Sequence, residues 1–458
     1  MTPTLTLIAV YMLLQLGIGV WVSRRIRTEA DYLLAGRRLG YTLLTFSIFA
    51  TWFGAETVIG SAGSVYADGI SFASPEPFGY GLCLIVMGLV FAAPLWRRKL
   101  TTLADLFRQR FSVTVERTAA IILIPASILW AAAQVRAFGQ VISAASTLEV
   151  EVAIGIAAAA TIAYTVFGGL LVDAITDLIQ GGILILGLVT IGVLTVLELG
   201  GPVDAVTAVA ESGRVVSPSD VHPGLLAGLE AWAIPVCGSV IATELVGRVI
   251  AARSAEVARG SSLAAGGLYL FVGLIPVFVG ITGAGLVFDL AHPEQLLPTV
   301  AETMLPTIGY AIFAGGLLSA ILSTVDSTLL ISSGLLSHNL IVPALRDPSE
   351  RVKVLVARSG VIAFGVIAYV LALRTRGVLE LVEQASAFGS AGTLVAVAFG
   401  LFTRFGGPRA ALATLIVGIA TYVAGVIYAS PYPFLFSLAS SLVTYVAVGF
   451  AERAARRG

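Results

Sequence analysis

Charged residues are scarce in this chain, at 12% of its 458 residues, whereas a soluble domain carries roughly 25%. Cysteine occurs only twice, at Cys83 and Cys237, both inside apolar segments and without the spacing of metal ligands. The sequence contains no phosphate-binding loop, no nucleophile paired with a base and no dinucleotide fingerprint. These absences leave an enzyme or an ATP-driven pump without a supporting motif, and we interpret both cysteines as packing residues.

Apolar sequence is what the chain has in excess: 57% of the residues are hydrophobic and the mean hydropathy is +0.96. Apolar runs of about 20 residues, long enough to cross a hydrocarbon core of roughly 30 Å, recur from end to end. Because lipid cannot satisfy backbone N–H and C=O groups, such runs form helices or closed barrels, and runs this continuous exclude barrel strands. The composition predicts an all-α membrane protein, and the formal net charge of +0 gives no indication of nucleic acid binding.

The hydropathy pattern predicts thirteen transmembrane spans in a single transporter domain. An odd number places the termini on opposite sides of the membrane. With the amino terminus outside, 23 of the 27 Lys and Arg residues fall in inner loops, Arg248 among them, as the positive-inside rule expects. The first apolar run is followed rather than preceded by basic residues, so we interpret it as a helix and not as a cleaved signal. The predicted spans are about 4–22, 42–69, 76–96, 118–146, 151–168, 174–199, 226–251, 261–288, 306–336, 354–373, 378–403, 408–429 and 433–450.

Two spans carry helix-breaking residues beside a carboxylate. The second has Gly54 next to Glu56, and the seventh has Pro235 and Gly238 ahead of Glu244. Glycine in membrane helices also serves close packing alone. Broken helices in matching positions, however, are typical of the binding sites of secondary transporters.

The spacing of these two spans predicts an internal repeat. Because they lie five spans apart, spans two to six and seven to eleven run in opposite directions across the membrane. We therefore predict inverted repeats at 42–199 and 226–403, with 4–22 as an extra first helix and 408–450 as two additional helices.

A polar stripe follows one face of the ninth span. Ala320, Ser323, Thr324 and Ser327 recur at i, i+3, i+4 and i+7. Hydroxyl, carbonyl and carboxylate oxygens suit a hard cation, so the stripe is either an ion path or an interhelical hydrogen-bond seam. A charge near the bilayer centre costs at least roughly 2.5–3.5 kcal/mol, so each one needs either an interaction partner or a functional role. The ionisable residues within spans are Glu56, Arg136, Asp177 and Asp326, with Asp173 and Glu244 closer to the inner face.

The remaining basic side chains give weaker indications of a functional role. Arg136 lies toward the outer end of the fourth span, where it can pair with a buried carboxylate, contact substrate or snorkel to the surface. His222, His292 and His338 lie near span ends with no carboxylate or cysteine cluster around them, so we assign them no metal or acid–base role.

Three motifs resemble signatures of the sodium:solute symporter family, in the same order. Residues 31–37 (DYLLAGR) resemble its DYxLAGR signature, 168–180 its GGL…TDxIQ signature and 319–327 its SAxxSTxDS segment. The resemblance covers nearly the whole chain. It implies a LeuT-like fold of two inverted five-helix repeats, with Na⁺ as the co-transported ion.

The resemblance also implies where sodium binds. The principal site would take the backbone carbonyls of Ala50, Phe53 and Ala320 and the hydroxyls of Ser323 and Thr324. An unwound helix segment frees carbonyls for such an ion.

Some members of the family hold a second sodium ion. Asp177, Asp326 and Ser327, together with Ser323, match the position of that second site. Two carboxylates there would otherwise be hard to keep charged within a membrane.

For the substrate, the sequence looks most like the high-affinity choline transporter branch, in which equivalents of Trp52, Tyr80 and Trp130 contribute to an aromatic cage. Such a cage suits a quaternary ammonium through cation–π attraction of roughly 0.5–2 kcal/mol per ring. One wall is absent, because Ala242 falls near an aromatic position of that cage, while two nearby glutamates could supply negative charge. The predicted substrate-binding residues are Trp52, Glu56, Thr57, Tyr80, Trp130, Gln134 and Glu244.

We therefore expect a sodium-coupled symporter that imports a small organic solute by alternating access, with a cationic or zwitterionic amine such as choline as the candidate solute. The alternatives are an amino acid or carboxylate held by Arg136, proton coupling through Glu56, Asp177 or Asp326, a solute sensor, or a channel. The expected location is a prokaryotic plasma (inner) membrane, with the carboxyl terminus cytoplasmic. The expected partners are solute, sodium ions and lipid, without nucleic acid or an obligate protein subunit.

Overall fold

The computed structural model describes residues 27–71, 74, 76–144, 148–167, 169–215, 224–287, 290, 293–375 and 378–455, with six isolated positions between 6 and 21. Within these residues every regular element is a helix. The predicted first span, 4–22, lies almost entirely outside the described residues.

We number twenty α-helices in this part of the chain. Four π-helical segments, at Glu56–Gly60, Met87–Phe91, Ile234–Gly238 and Leu335–Ile341, continue or join them. The α-helices are α1 (Glu29–Leu34), α2 (Tyr41–Trp52), α3 (Ser61–Asp68), α4 (Phe78–Val86), α5 (Ala92–Arg97), α6 (Ala104–Arg110), α7 (Val113–Ala144), α8 (Val150–Phe167), α9 (Leu170–Glu198), α10 (Pro202–Glu211), α11 (Leu225–Ala233), α12 (Thr243–Ile250), α13 (Ala255–Thr282), α14 (Leu296–Met304), α15 (Thr307–Gly334), α16 (Glu350–Arg374), α17 (Val378–Ala387), α18 (Ser390–Phe402), α19 (Pro408–Ile427) and α20 (Pro433–Ala455).

Membrane-crossing helices account for most of the described chain. Ten of its helical stretches are long and apolar enough to cross a bilayer, and α2 with the bent segment that follows makes eleven. α8 coincides with the predicted span at 151–168 but is shorter than the roughly 20 residues of a typical span. The all-helical membrane architecture is confirmed, while the count of thirteen spans stays a prediction.

Two regions differ from the predicted pattern. The predicted eleventh span, 378–403, is interrupted between α17 and α18, where Gly389 takes a φ of +70°, although Leu381–Phe402 is one of the ten stretches that can cross a bilayer. The predicted loop at 200–223 contains the helix α10, which begins with Pro202 in its first turn.

The helix α15 forms the centre of the bundle. It packs against α2, α7, α9 and α12, and nearly all of its residues from Ala311 to Gly334 are buried. Its hydroxyl and carboxyl side chains therefore face other helices and not lipid, which places the polar stripe inside the protein.

Candidate functional site

The second predicted span is broken where its glycine pattern indicated. The last helical hydrogen bond of α2 runs from Phe53 N–H to the Phe49 carbonyl, at 2.7 Å. The helical pattern resumes with the bond from Val58 N–H to the Gly54 carbonyl, at 3.1 Å. The two halves are bent by 55°. Helix ends leave carbonyls without a helical partner, and no backbone N–H of the described residues donates to the carbonyl of Ala50 or Phe53.

Thr324 connects this break to α15. Its hydroxyl lies 3.2 Å from the Thr51 carbonyl in the last turn of α2 and 3.2 Å from the Ala320 carbonyl of its own helix. All three residues are buried. The break in the second span and the polar stripe of the ninth, which supply the residues predicted for the principal sodium site, therefore meet inside the protein.

Ser323, the neighbour of Thr324, faces α9 instead. Its hydroxyl donates to Asp177 and lies 3.2 Å from Asp173 Oδ1. Ser47 of α2 also donates to Asp177, at 2.6 Å, and Ser327 donates to Asp173 at 2.7 Å. Three helices thus contribute side chains to one buried group of carboxylates and hydroxyls.

Arg248 of α12 completes this group, which we call the Arg248 cluster: Arg248, Asp173, Asp177, Ser47 and Ser327. Its Nη2 lies 2.6 Å from Asp173 Oδ2 and 3.5 Å from Asp177 Oδ2, and it also donates to the Ser327 hydroxyl. The prediction that Arg248 lies in an inner loop was wrong, because its side chain is 0% exposed. It belongs to a helix that packs against α2 and α15, so the guanidinium enters the bundle.

A signal for Arg248 was present in the sequence. The predicted seventh span, 226–251, already included position 248, and Arg248 follows Glu244 by one helical turn. An arginine within a predicted span calls for a buried carboxylate partner. Asp173 and Asp177 were among the candidates that the sequence offered.

Asp326 stands apart from its predicted companions. The residue is 0% exposed, and neither carboxyl oxygen accepts a hydrogen bond from the described residues. Of the residues predicted for a second sodium site, Asp177 contacts Ser323 directly, and Ser327 contacts the same arginine as Asp177. Asp326 forms none of these contacts.

The three predicted cage aromatics lie together. The ring centroids of Trp52 and Trp130 are 5.8 Å apart, and those of Tyr80 and Trp130 are 6.0 Å apart. The Tyr80 hydroxyl lies 3.0 Å from the Ser386 hydroxyl. These rings join α2, α4 and α7 just beside the break of the second span.

Two acidic residues, Glu56 and the partly buried Glu76, flank the part of the broken span beyond these aromatics. Glu56, four residues after Trp52 on the far side of the break, accepts a 2.7 Å hydrogen bond from Gln134 and is 1% exposed. The Thr57 hydroxyl lies 2.8 Å from Glu76 Oε1 and contacts Tyr269. Glu76 was not predicted as a site residue. It begins a predicted span, where an acidic side chain is expected to face the membrane surface.

A small cavity borders Trp130. Its wall includes Ala242 and Glu244, and Glu244 accepts a 2.5 Å hydrogen bond from Ser127. Of the residues predicted to bind substrate, Trp130 and Glu244 line this cavity, whereas the other five do not. Ala242 faces the same space, so the wall without an aromatic ring borders the cavity. Its other lining residues include Ser239, Ser386 and Phe388.

Arg136 connects two helices. Its Nη1 donates to the Ala372 carbonyl of α16 at 2.9 Å. This bond ties α7 to α16.

His338 differs from its predicted surroundings. Its Nδ1 lies 3.1 Å from Glu29 Oε2 and its Nε2 lies 3.4 Å from Asp105 Oδ1, so the expectation of no nearby carboxylates was wrong. Burial raises the pKa of Asp105, but hydrogen bonds from His338 and from the N–H groups of Thr101 and Thr102 outweigh it and hold that pKa below its ordinary value. These contacts tie α1 and α6 to the π-helical segment Leu335–Ile341 that follows α15, at residues far apart in the sequence.

Comparison with known proteins places the chain among transporters. The sequence model of the sodium:solute symporter family matches residues 32–418. The human high affinity choline transporter 1 is 28% identical over 403 residues, which cover 82% of this chain and 68% of that protein. The sodium/proline symporter of Haemophilus influenzae is 28% identical over 446 residues, which cover 92% of this chain and 88% of that protein.

Solved structures share the fold. A Na⁺-coupled sialic acid symporter in a substrate-bound outward-open state matches with a TM-score of 0.85 at 19% identity, covering 97% of this chain and 96% of that chain. Mhp1, a nucleobase-cation-symport-1 family transporter, matches with a TM-score of 0.59 at 16% identity, covering 92% and 94%. These similarities confirm the LeuT-like fold.

Proposed function

Since this chain belongs to the sodium:solute symporter family, we propose that its solute is a small cationic or zwitterionic amine, carried inward with Na⁺ by alternating access. The observation that carries this proposal is the meeting of the broken second span, its aromatic rings and its buried glutamate at one place in the bundle. Ion and solute then bind within a few residues of each other on the same broken helix.

The sodium ion takes the oxygens around the break. We assign to it the carbonyls of Ala50, Phe53 and Ala320 and the hydroxyls of Ser323 and Thr324. The 3.2 Å contact of Thr324 with the Thr51 carbonyl supports this assignment, because it brings oxygens of α15 to the carbonyls at the end of α2. A cation between these oxygens joins the two helices, and its loss lets them separate.

The amine takes the aromatic and acidic side chains beyond the break. The rings of Trp52, Tyr80 and Trp130 offer cation–π attraction to a charged nitrogen, and we assign to the buried Glu56 the negative charge that attracts this nitrogen. The human and Haemophilus relatives are named for choline and proline, and both solutes carry a positively charged nitrogen. Thr57, Gln134 and Glu244 complete the proposed set.

We further propose that 42–199 and 226–403 are the inverted repeats that rock against each other, in a plasma membrane with the amino terminus outside. Single cysteines at Gly213 and Arg346, placed in a Cys83→Ser/Cys237→Ser background, test the orientation. A membrane-impermeant maleimide added to intact cells is expected to label position 213 and not position 346. The reverse pattern would invert the proposed topology.

The proposed solute class is tested by a thermal-shift screen of the purified protein. Choline, proline, sugars and carboxylates are each added with NaCl and with KCl, because a ligand that binds only the folded state raises the unfolding temperature. We expect choline or another amine to stabilise the protein in Na⁺ and not in K⁺. Stabilisation by sugars or carboxylates alone would contradict the amine, and equal stabilisation in K⁺ would contradict sodium coupling at this site.

A further inference from the structure

The Arg248 cluster holds buried charges that the proposed sodium and amine sites do not use. We propose that the Arg248 guanidinium is a tethered cation that fills a second cation site, so that a single sodium ion accompanies each solute molecule. This inference rests on the proposed sodium coupling and fixes its stoichiometry.

The partners of Arg248 are oxygen atoms of the kind that bind Na⁺. Besides Asp173 and Asp177, its Nε lies 3.1 Å from the Ser47 carbonyl and 3.0 Å from the Ser47 hydroxyl, and Nη2 donates to the Ser327 hydroxyl. Two carboxylates, two hydroxyls and one carbonyl from three helices thus converge on one point. Such a set suits a hard cation, but the guanidinium already occupies it.

Charge balance explains why a cation must be present there. Asp173 and Asp177 share this place and are both 0% exposed, and buried charges are costly unless an opposite charge pairs with them. Arg248 supplies a positive charge that is covalently attached to α12. A permanent positive charge at this point repels a second mobile cation from the same oxygens.

The cluster borders the proposed sodium site, because Ser323 of that site donates to Asp177. Ser47 precedes Thr51 by one turn of α2, and the Thr51 hydroxyl donates to the Ser47 carbonyl at 2.7 Å. Ser327 follows Ser323 by one turn of α15 in the same way. The two sites therefore share α2 and α15, one holding a mobile ion and the other a fixed one.

Equilibrium binding of ²²Na⁺ to the purified full chain, with no solute present, tests the proposal. Wild type is expected to bind one ion per chain, and Arg248→Met, which keeps an apolar side chain of similar length, is expected to bind two. Arg248→Lys retains the positive charge and is expected to bind one. Arg253→Met is the matched control, because Arg253 is an exposed arginine five residues later, and it is expected to leave the count at one.

Loss of the guanidinium leaves two buried carboxylates without their partner, which destabilises the fold. The variants are therefore purified in high NaCl. The double variant Arg248→Met/Asp173→Asn, which removes one charge of each sign, is measured beside them. It is expected to bind two ions. In Arg248→Ala, millimolar guanidinium chloride is expected to displace the second ²²Na⁺ ion and not the first.

The outcomes separate this inference from the proposed function. Two ions bound to wild type, or one ion bound to both Arg248→Met and Arg248→Met/Asp173→Asn, would overturn the tethered cation while leaving sodium symport intact. No ion bound to wild type would overturn the proposed sodium coupling, and the inference with it.

Discussion

Thr324 and Ser323 are adjacent residues with different neighbours, and both contribute to the proposed sodium site. Thr324 reaches the end of α2, whereas Ser323 reaches the carboxylates of α9. Replacing both with alanine removes two hydroxyl ligands without adding bulk. We expect Ser323→Ala/Thr324→Ala to abolish sodium-dependent uptake of the amine while the protein still inserts, measured in proteoliposomes.

The matched control for that variant lies on the same helix. Ser332 and Ser333 are also buried, and within the described residues their hydroxyls donate to carbonyls of α15, at 2.7 Å to Thr328 and 2.8 Å to Leu330. Ser332→Ala/Ser333→Ala is expected to keep sodium-dependent uptake. Unchanged sodium dependence in the first variant, or equal loss in both, would refute the site assignment.

Glu56 allows the proposed charge attraction to be tested by an almost isosteric change. Glu56→Gln keeps an oxygen to accept the hydrogen bond from Gln134 but removes the negative charge. We expect the affinity for the amine to fall about tenfold or more, since about 1.4 kcal/mol corresponds to a factor of ten, with isothermal titration as the measurement. Glu116→Gln is the control, because Glu116 is also 1% exposed and accepts a 2.8 Å hydrogen bond from an amide, that of Asn339. Similar loss in both variants would indicate a general effect on folding.

At the scale of elements, the breaks in helices position the site. Gly389 separates α17 from α18 at a φ of +70°, and a Cβ there would approach Ile122 Cγ2 to 2.4 Å. Because the left-handed conformation costs a residue with a Cβ about 1–2 kcal/mol before any clash, we expect Gly389→Ala to destabilise the protein by about 1–3 kcal/mol. The unfolding temperature checks this expectation. Gly182→Ala in α9 is the control, since nothing lies within 4 Å of its added Cβ, and it should stabilise slightly. An unchanged unfolding temperature in Gly389→Ala would contradict this expectation and show that the α17–α18 junction accommodates the added methyl group.

At the scale of the whole molecule, symport requires that ion and solute strengthen each other's binding. The two proposed sites share the broken segment that runs from Ala50 to Thr57, so ordering it for one ligand favours the other. We expect Na⁺ to raise the affinity for the amine by about 5–150-fold, and the amine to raise the affinity for Na⁺ by the same factor. Titration of each ligand at fixed concentrations of the other measures both factors. Independent binding would contradict coupling through this segment.

Composition and short motifs determined the membrane class, the all-helical architecture and the family. They did so because hydropathy, helix-breaking residues and the DYLLAGR segment are local properties of the chain. The break at Gly54 was predictable for the same reason, since glycine acts on its own stretch of backbone. So was the burial of Glu56, which lies deep within an apolar run.

Only the tertiary structure decided which polar side chains meet. The sequence places Asp177 and Asp326 equally inside spans, yet Asp177 contacts Ser47 and Ser323 whereas Asp326 accepts no hydrogen bond from the described residues. The tertiary structure likewise brings the Arg248 side chain into the bundle. It also brings Glu76 into contact with Thr57. The rotation of each helix about its axis selects these partners, and it is set by packing against several neighbours at once, which no single segment encodes.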